Sequence, residues 1–441
     1  MSRTNDLGRD EIPRLVVRLA IPTMLAQLVN VLYSIVDRMY IGTGVGDLAL
    51  AGVGICSPIV TLLASFGSMV GQGGAPVMAM KMGSGKKKEA RQVLNNGFLM
   101  LLILSAVLTS LFLLSKNSLL MWFGASETTF SYANTYVTIY TAGTFFALIS
   151  GGMNSFLIAQ GFSGLGMATV VIGAVLNILL DPLFIFVFHM GVAGAAIATG
   201  FSPIFSLFVL SIHFFRKQHT LKLVRCRILF RQIGRSMTLG LSSWITEVAS
   251  GAVLLVFNLI ILRITGNLGV AACGIVANIA QVAVAIFTGI AQGIQPLVSR
   301  FYSTGETDSL KKVRNAANLL ALFLAAAFYA VIFLFSDQVI AVFNSEHNTA
   351  LIPLAREGLR LYFLGFFFAG INIVMTAYLS AVELPKQGMF LSLLRGAILL
   401  VPLVLILPQF LEMTGVWLSF PLCELLTAGM LALLLRRSRT A

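Results

Sequence analysis

The chain has 441 residues, of which 58% are hydrophobic and only 11% are charged, a balance that excludes an ordinary soluble globular protein. Thirty basic against 17 acidic residues give a net charge of +13. The basic residues lie between long apolar runs, so the charge indicates membrane-surface loops and argues against nucleic acid as a partner. The four cysteines form no CxxC pair, so their spacing supports neither a disulfide framework nor a zinc site.

Twelve apolar runs can each cross a hydrocarbon core of ~30 Å, which takes ~20 helical residues. The runs in the first half cover 14–41, 48–80, 92–115, 132–159, 166–188 and 192–214. A basic segment follows, and the runs in the second half cover 236–262, 269–300, 313–335, 352–380, 388–407 and 414–435. We therefore predict an all-α integral membrane protein with an N-lobe at 1–215, a basic linker at 216–235 and a C-lobe at 236–441.

The second half of the chain repeats the first at a shift of 220 residues. Matching pairs include Ala51 and Ala271, Gly54 and Gly274, Gln72 and Gln292, Gly73 and Gly293, Pro76 and Pro296, and Asn95 and Asn315. Because each half has six spans, an even number, the two lobes share one orientation and are related by a pseudo-twofold axis along the membrane normal. The repeat predicts a transporter whose lobes face a central cleft.

The distribution of basic residues predicts the topology. With the N-terminus inside, 24 of the 30 basic residues fall in segments that face the cytoplasm. We therefore expect a multi-pass protein of a bacterial inner membrane, with both termini cytoplasmic and membrane lipid as a partner. We expect a monomer.

Two spans that are repeat mates carry polar stripes, which lipid would reject. The second span presents Ser57, Thr61, Ser65, Ser68 and Gln72, and the eighth presents Asn278, Gln281, Thr288, Gln292 and Gln295. The hydroxyls could instead bond to their own helix. The amides need partners or water, so we expect Gln72, Asn278, Gln281 and Gln292 to line the cleft.

Four acidic residues lie inside spans, where a carboxylate costs at least ~2.5 kcal/mol and is a functional candidate by default. They are Asp37, Asp181, Glu247 and Glu424. Asp37 and Asp181 lie in the outer half of the N-lobe, at the same depth as Tyr136, Asn177 and Thr199. Glu247 lies near mid-membrane, where it could attract a cationic substrate. Glu424 could simply bond a neighbouring helix.

The residues grouped by depth in the N-lobe suit a coupling ion. Two carboxyl groups close together resist losing both protons, so the pair could take up and release H⁺. Hydroxyl, amide and carboxylate oxygens are also ligands for a hard cation, so Na⁺ could bind at Asp37, Asn177, Asp181 and Thr199. Alternatively, each aspartate could cap or bridge helices.

A glycine-rich run at 83–86, GSGK, resembles part of a phosphate-binding loop. Met80 replaces its first glycine and Lys87 its Ser or Thr, so no ATP site is supported. We expect no cofactor and no enzymatic activity, and transport would draw its energy from an ion gradient.

Four motifs stand out in the first half of the chain: VDRMYIG at 36–42, GQGGAP at 71–76, NILLDPL at 177–183 and GVAGAAIAT at 191–199. Together they resemble the multidrug and toxic compound extrusion (MATE) family, and its MepA-like bacterial branch in particular. The resemblance covers nearly the whole chain. It implies a twelve-helix antiporter that exports cationic lipophilic compounds in exchange for H⁺ or Na⁺.

The resemblance also implies residue roles. The family's N-lobe cation site matches Asp37, Tyr136, Asn177, Asp181 and Thr199, and the proline at which its first helix bends matches Pro22. The C-lobe departs from the pattern of NorM-type relatives, because the tenth span has no acid and Glu247 is about one turn short of their glutamate. We therefore carry no C-lobe cation site across.

One alternative function stays open. A flippase for lipid-linked saccharides belongs to the same superfamily and would need an arginine-rich cleft for a pyrophosphate. Inside the spans, Arg395 and little else could serve. A channel would not need a twofold repeat with a titratable site in one lobe.

Overall fold

The structure is a computed structural model that describes residues 11–123, 125–215, 229–343 and 348–437. Its first half folds into six helices, of which α5 continues into a π-helical turn at Leu183–Val187. They are α1 (Ile12–Gly44), α2 (Asp47–Gly83), α3 (Lys87–Trp122), α4 (Glu127–Ala159), α5 (Ser163–Pro182) and α6 (Gly191–Phe215).

The second half begins with the helical run Phe230–Thr304, which Gly266 divides into α7 (230–265) and α8 (267–304). Gly266 has φ +64° and ψ −153°, a backbone that glycine adopts without strain. The remaining long helices are α9 (Thr307–Leu334), α10 (Leu351–Ala381), α11 (Pro385–Ile406) and α12 (Pro408–Arg437). A short helix, Ser336–Phe343, precedes α10.

The end of the basic linker differs from the prediction. Residues 230–235, which we assign to the linker from their charge, form the first turns of α7, and Arg235 pairs there with Glu383. Basic side chains at a membrane surface are compatible with a helix because they reach solvent or an acidic partner. Residues 216–228 lie outside the described chain.

The helices confirm the predicted fold class. Within the described ranges, eleven helices are long and apolar enough to cross a membrane, and α7 supplies the twelfth predicted span. The protein is an all-α membrane protein with twelve transmembrane helices in two lobes of six.

The two helices that match in sequence, α2 and α8, also match in the pattern of buried side chains. From 51 to 80 in α2 and from 271 to 300 in α8, the degree of side-chain burial differs at only three pairs, 55 and 275, 60 and 280, and 80 and 300. Because both helices bury the same faces, they hold equivalent positions in their lobes.

Each lobe packs the start of its first helix, α1 or α7, into the core of the other lobe. Leu15, Val16, Leu19 and Ala20 of α1 pack in the core of the C-lobe, whereas Leu239 of α7 packs in the core of the N-lobe. Leu19 and Leu239 are mates under the 220-residue shift. The exchange places α1 against α8 and α7 against α2 in the half of the molecule that contains the described chain ends.

Close backbone contacts accompany this exchange. A Cβ at Gly73 would lie 1.9 Å from the carbonyl oxygen of Ser236, and one at Gly293 would lie 2.7 Å from the Cα of Ala20. Small residues at both crossings therefore let the helices approach closely.

Candidate coupling site and substrate cavity

The structure brings together the five N-lobe residues that depth and resemblance group. Asp37 comes from α1, Tyr136 from α4, Asn177 and Asp181 from α5, and Thr199 from α6. Asn177 and Asp181 are fully buried. The Asn177 amide donates to the Thr199 hydroxyl at 3.3 Å, and Thr199 donates to the Ala195 carbonyl at 2.9 Å.

The two carboxyl groups face each other inside this cluster. Asp37 and Asp181 lie close enough to interact directly. Oδ1 of Asp37, both carboxyl oxygens of Asp181 and Oδ1 of Asn177 are buried and have no hydrogen-bond partner of good geometry among the described residues. Buried acceptors are normally paired, so this cluster has the oxygens that a bound proton or small cation would satisfy.

The local shape of α5 follows from its sequence. Asn177 and Asp181 are four residues apart, so they share one helix face. Pro182 has no N–H to donate to the previous turn, and the helix continues as the π-helical turn Leu183–Val187. Asp181 therefore lies where the regular helix ends, on a buried face.

Two tyrosines of the cluster are absent from the predicted set. Tyr33 and Tyr140 each lie near Asp37, and Tyr140 stacks on Tyr136 with ring centroids 5.8 Å apart. Tyr33 lies four residues before Asp37, and Tyr140 lies four residues after Tyr136. This helical spacing is the signal that could have found them.

Pro22 lies inside α1, which runs unbroken from Ile12 to Gly44. The neighbouring Thr23 hydroxyl donates across the lobe boundary to the Gly289 carbonyl, at 2.6 Å. Proline removes one backbone hydrogen bond of the helix, so this crossing is the weakest point of the α1 ladder.

A cavity of about 380 Å³ lies in the N-lobe beside the cluster, and Tyr140 lines it. Its wall is rich in small and polar residues, including Asn30, Ser68, Thr144 and Asn154. Tyr140 therefore connects the carboxyl cluster with a polar space that could hold water.

A second cavity, of about 450 Å³, lies between the lobes on the C-lobe side. Its wall is mainly apolar and includes Phe257, Tyr362 and Phe420. Gln72, Glu247, Thr288 and Gln292 line both this cavity and the N-lobe cavity. They form the boundary between the two spaces.

Hydrogen bonds fix that boundary. The Gln27 amide donates to the Gln292 side chain at 3.0 Å, and the Ser243 hydroxyl donates to the Gln72 side chain at 2.9 Å. The Glu247 carboxyl contacts the Ser68 hydroxyl. Gln27 and Glu247 are repeat mates, so the same position carries an amide in α1 and an acid in α7.

Asn278 and Gln281, which we expect to line the cleft, line neither of these two cavities. Gln281 is exposed and Asn278 is half-buried. Both lie closer to the start of α8 than Gly289 and Gln292, which bond to α1. The polar stripe of α8 therefore continues beyond the cavity wall.

The remaining intramembrane acid, Glu424, has both carboxylate oxygens hydrogen-bonded. Glu424 Oε1 accepts from Arg395 Nη2 at 2.6 Å and from Nε at 3.0 Å, while Oε2 accepts from the Asn372 amide at 2.7 Å. Arg395 and Glu424 also line the 450 Å³ cavity. The sequence marks both residues as intramembrane charges but does not show that they pair.

Two lobes of six helices, a cavity between them and a buried acidic cluster in one lobe define the transporter class of membrane protein. The MatE family model matches this chain twice, over residues 22–183 and 245–406. The chain belongs to the MatE family.

The comparisons with individual proteins agree with this assignment. The chain is 22% identical over 424 residues to the multidrug export protein MepA of Staphylococcus saprophyticus subsp. saprophyticus, covering 95% of this chain and 93% of the relative. MepA of Staphylococcus haemolyticus is 23% identical over 411 residues, with 93% and 90% covered.

Solved structures show the same fold. A multidrug resistance MATE family transporter of the MOP superfamily in its outward-facing conformation superposes with a TM-score of 0.94 at 23% identity, covering all of this chain and 98% of the other. A MATE transporter in the straight conformation superposes with a TM-score of 0.92 at 23% identity, with the same coverage.

Proposed function

We propose that this protein exports cationic lipophilic compounds in antiport with H⁺ or Na⁺ across the inner membrane of a bacterium, by alternating access between its lobes. The observation that carries the proposal is the buried Asp37–Asp181 pair, in which three of the four carboxyl oxygens have no hydrogen-bond partner of good geometry among the described residues. A bound proton or cation would stabilise such a buried pair strongly, and its release would remove that stabilisation.

The two cavities suggest how the ion and the substrate are linked. The ion binds in the N-lobe cluster, and the cation binds in the larger cavity near Glu247, which also lines the N-lobe cavity. When Asp37 and Asp181 are deprotonated, the N-lobe favours substrate entry. Ion binding then bends α1 at Pro22, closes the N-lobe cavity and expels the substrate.

The expected topology, with both termini in the cytoplasm, supports outward release of the substrate. Hydrogen bonds from Thr23 to Gly289, from Gln27 to Gln292 and from Ser243 to Gln72 join the lobes in the half that contains the described chain ends. With both termini in the cytoplasm, this half is the cytoplasmic one. The structure then corresponds to the state that releases substrate outward.

The flippase alternative has little support in this cavity. A pyrophosphate needs several available cations, whereas Arg395 is already bonded to Glu424 through two of its nitrogens. The mainly apolar wall, in which Glu247 is an acid without a basic partner among the described side chains, fits an amphipathic cation better.

The test is ethidium efflux from proteoliposomes under an imposed pH gradient or an imposed Na⁺ gradient. We expect Asp37→Asn and Asp181→Asn each to lower gradient-driven efflux at least tenfold. Asp308→Asn is the control, because Asp308 is an exposed acid in the first turn of α9.

Full gradient-driven efflux by both variants would refute the site. The gradient that drives the wild type identifies the ion. If the wild type moved no cation under either gradient but flipped a lipid-linked sugar, the alternative would replace the proposal.

A further inference from the structure

Few charged side chains line the larger cavity. Of the described residues that line it, three carry a formal charge near neutral pH, namely Glu247, Arg395 and Glu424. The other polar lining groups are amides, hydroxyls, one thiol, the Tyr362 phenol and the Trp417 indole. The cavity therefore carries one net negative charge when Glu247 is ionised.

Arg395 and Glu424 act as one neutral unit. Their side chains are 12% and 3% exposed, and the Glu424 carboxylate receives two bonds from the guanidinium and one from Asn372. Such a charge-assisted pair is held in a fixed geometry, and arginine does not lose its proton in proteins. The pair adds a dipole to the wall but no net charge.

The backbone holds Arg395 in this position. It lies in the π-helical turn Leu394–Ile398 of α11, and the Cys423 thiol donates to its carbonyl at 3.4 Å. Cys423 is adjacent to Glu424 on α12, so both the backbone and the side chain of Arg395 bind the same segment. π-Helical turns often occur at functional sites.

Glu247, by contrast, has no basic partner among the described side chains, and its carboxyl contacts the Ser68 hydroxyl. It is the acid of this cavity whose charge is left for a ligand to balance. A monovalent cation balances that charge fully, whereas a zwitterion of the same shape brings no net charge and must also place a carboxylate near Glu247.

We propose that the larger cavity favours monovalent amphipathic cations over zwitterions through Glu247 alone, because the Arg395–Glu424 pair lines the same wall but cancels its own charge. This inference rests on the proposed function and specifies its substrate class.

The test compares two dyes with one ring system. Rhodamine B is a zwitterion at neutral pH, and its ethyl ester is a monovalent cation. Binding of each dye to the purified full-length protein is measured by fluorescence polarisation, and the thermal unfolding of every variant is recorded. We expect the wild type to bind the ester at least tenfold more tightly than the zwitterion.

The variants change the charge of the cavity stepwise. Glu424→Gln leaves Arg395 uncompensated and makes the cavity neutral overall, so we expect the ester to bind at least tenfold more weakly and the zwitterion to bind more tightly. The double variant Arg395→Met with Glu424→Gln removes both charges and leaves Glu247 alone. We expect it to restore the preference for the ester to within about threefold of the wild type.

A matched control removes an ion pair outside the cavity. Asp337→Asn breaks the exposed pair with Arg356 and should leave the dye preference unchanged. The proposal is overturned if the wild type does not discriminate between the dyes, or if the double variant binds as poorly as Glu424→Gln, as it would if the pair only held helices together. If the wild type did not export ethidium under either gradient, the proposed function itself would be refuted.

Discussion

The buried acids of the two lobes are in opposite states. In the N-lobe, Asp37 and Asp181 face each other, and three of their four carboxyl oxygens lack a partner within the described chain. In the C-lobe, both carboxylate oxygens of Glu424 are bonded, to Arg395 and Asn372. An unpaired site can take up and release an ion, whereas a paired site keeps its charges in place.

The two lobes differ in their buried acids although their helices pack in the same way. The burial of α2 and α8 agrees at nearly every position, and Leu19 and Leu239 make equivalent exchanges. Under the same shift, Asp37 falls on Phe257 and Asp181 on Val401. The two halves therefore share their helix packing, whereas the buried aspartate pair occurs in one lobe alone.

Breaking the C-lobe pair should have the largest effect on stability. Arg395→Met leaves Glu424 buried without its cation, which typically costs ~3–5 kcal/mol. We expect a large drop in the thermal unfolding midpoint in detergent. Arg356→Met, which breaks an exposed pair, should change stability by less than ~1 kcal/mol. Equal midpoints for the two variants would mean that the C-lobe network is not a fixed unit.

A second asymmetry concerns proline. Pro22 lies inside α1, whereas its mate in α7 is Ser242. Pro22→Ala restores a helix-interior hydrogen bond, which can stabilise the straight helix by up to ~3 kcal/mol. We expect a higher unfolding midpoint and at least tenfold slower ethidium efflux in proteoliposomes. Efflux at the wild-type rate would show that α1 need not bend.

Substituting the glycines at the helix crossings between the lobes should reduce stability by a smaller amount, and the two crossings should differ. At Gly73 a Cβ would meet the Ser236 carbonyl oxygen at 1.9 Å, and at Gly293 it would meet the Ala20 Cα at 2.7 Å. We expect Gly73→Ala to cost ~1–3 kcal/mol, as overpacking usually does, and Gly293→Ala to cost less. Thermal unfolding midpoints of the two variants test whether Gly73→Ala is the less stable one.

The control for the crossings lies on the same helix. Gly54 has nothing within 4 Å of an added Cβ, so Gly54→Ala should not destabilise the protein through a clash. Because alanine favours a helix more than glycine does, a loss of stability in Gly54→Ala as large as that in Gly73→Ala would show that the close contact at the crossing does not explain the Gly73 result.

The sequence predicts those features that depend on one helix at a time. Apolar length predicts the spans, and depth groups Asp37 with Asp181 because both lie near one end of their helices. Lateral packing is different. The pairing of Arg395 with Glu424 joins two helices whose rotation about their own axes is set by the whole lobe, and no short-range pattern encodes it.

The same limit applies to the exchange of helix starts. Leu19 and Leu239 are ordinary apolar residues in the sequence, and only the assembled lobes show that each packs in the core of the opposite lobe. Tyr33 and Tyr140 are a different case, because their four-residue spacing from Asp37 and Tyr136 was available in the sequence.

The smallest expected change in stability is at the candidate coupling site. Asp181→Asn replaces a buried carboxyl group that has no hydrogen-bond partner of good geometry in the described structure with an amide of the same shape. We therefore expect a much smaller change in unfolding free energy than for Arg395→Met, together with a loss of transport. A loss comparable with that of Arg395→Met would show that Asp181 is a structural bridge. Stability that stays constant while transport disappears would separate an ion-binding carboxyl group from a helix-holding one, which is the difference that the two lobes present.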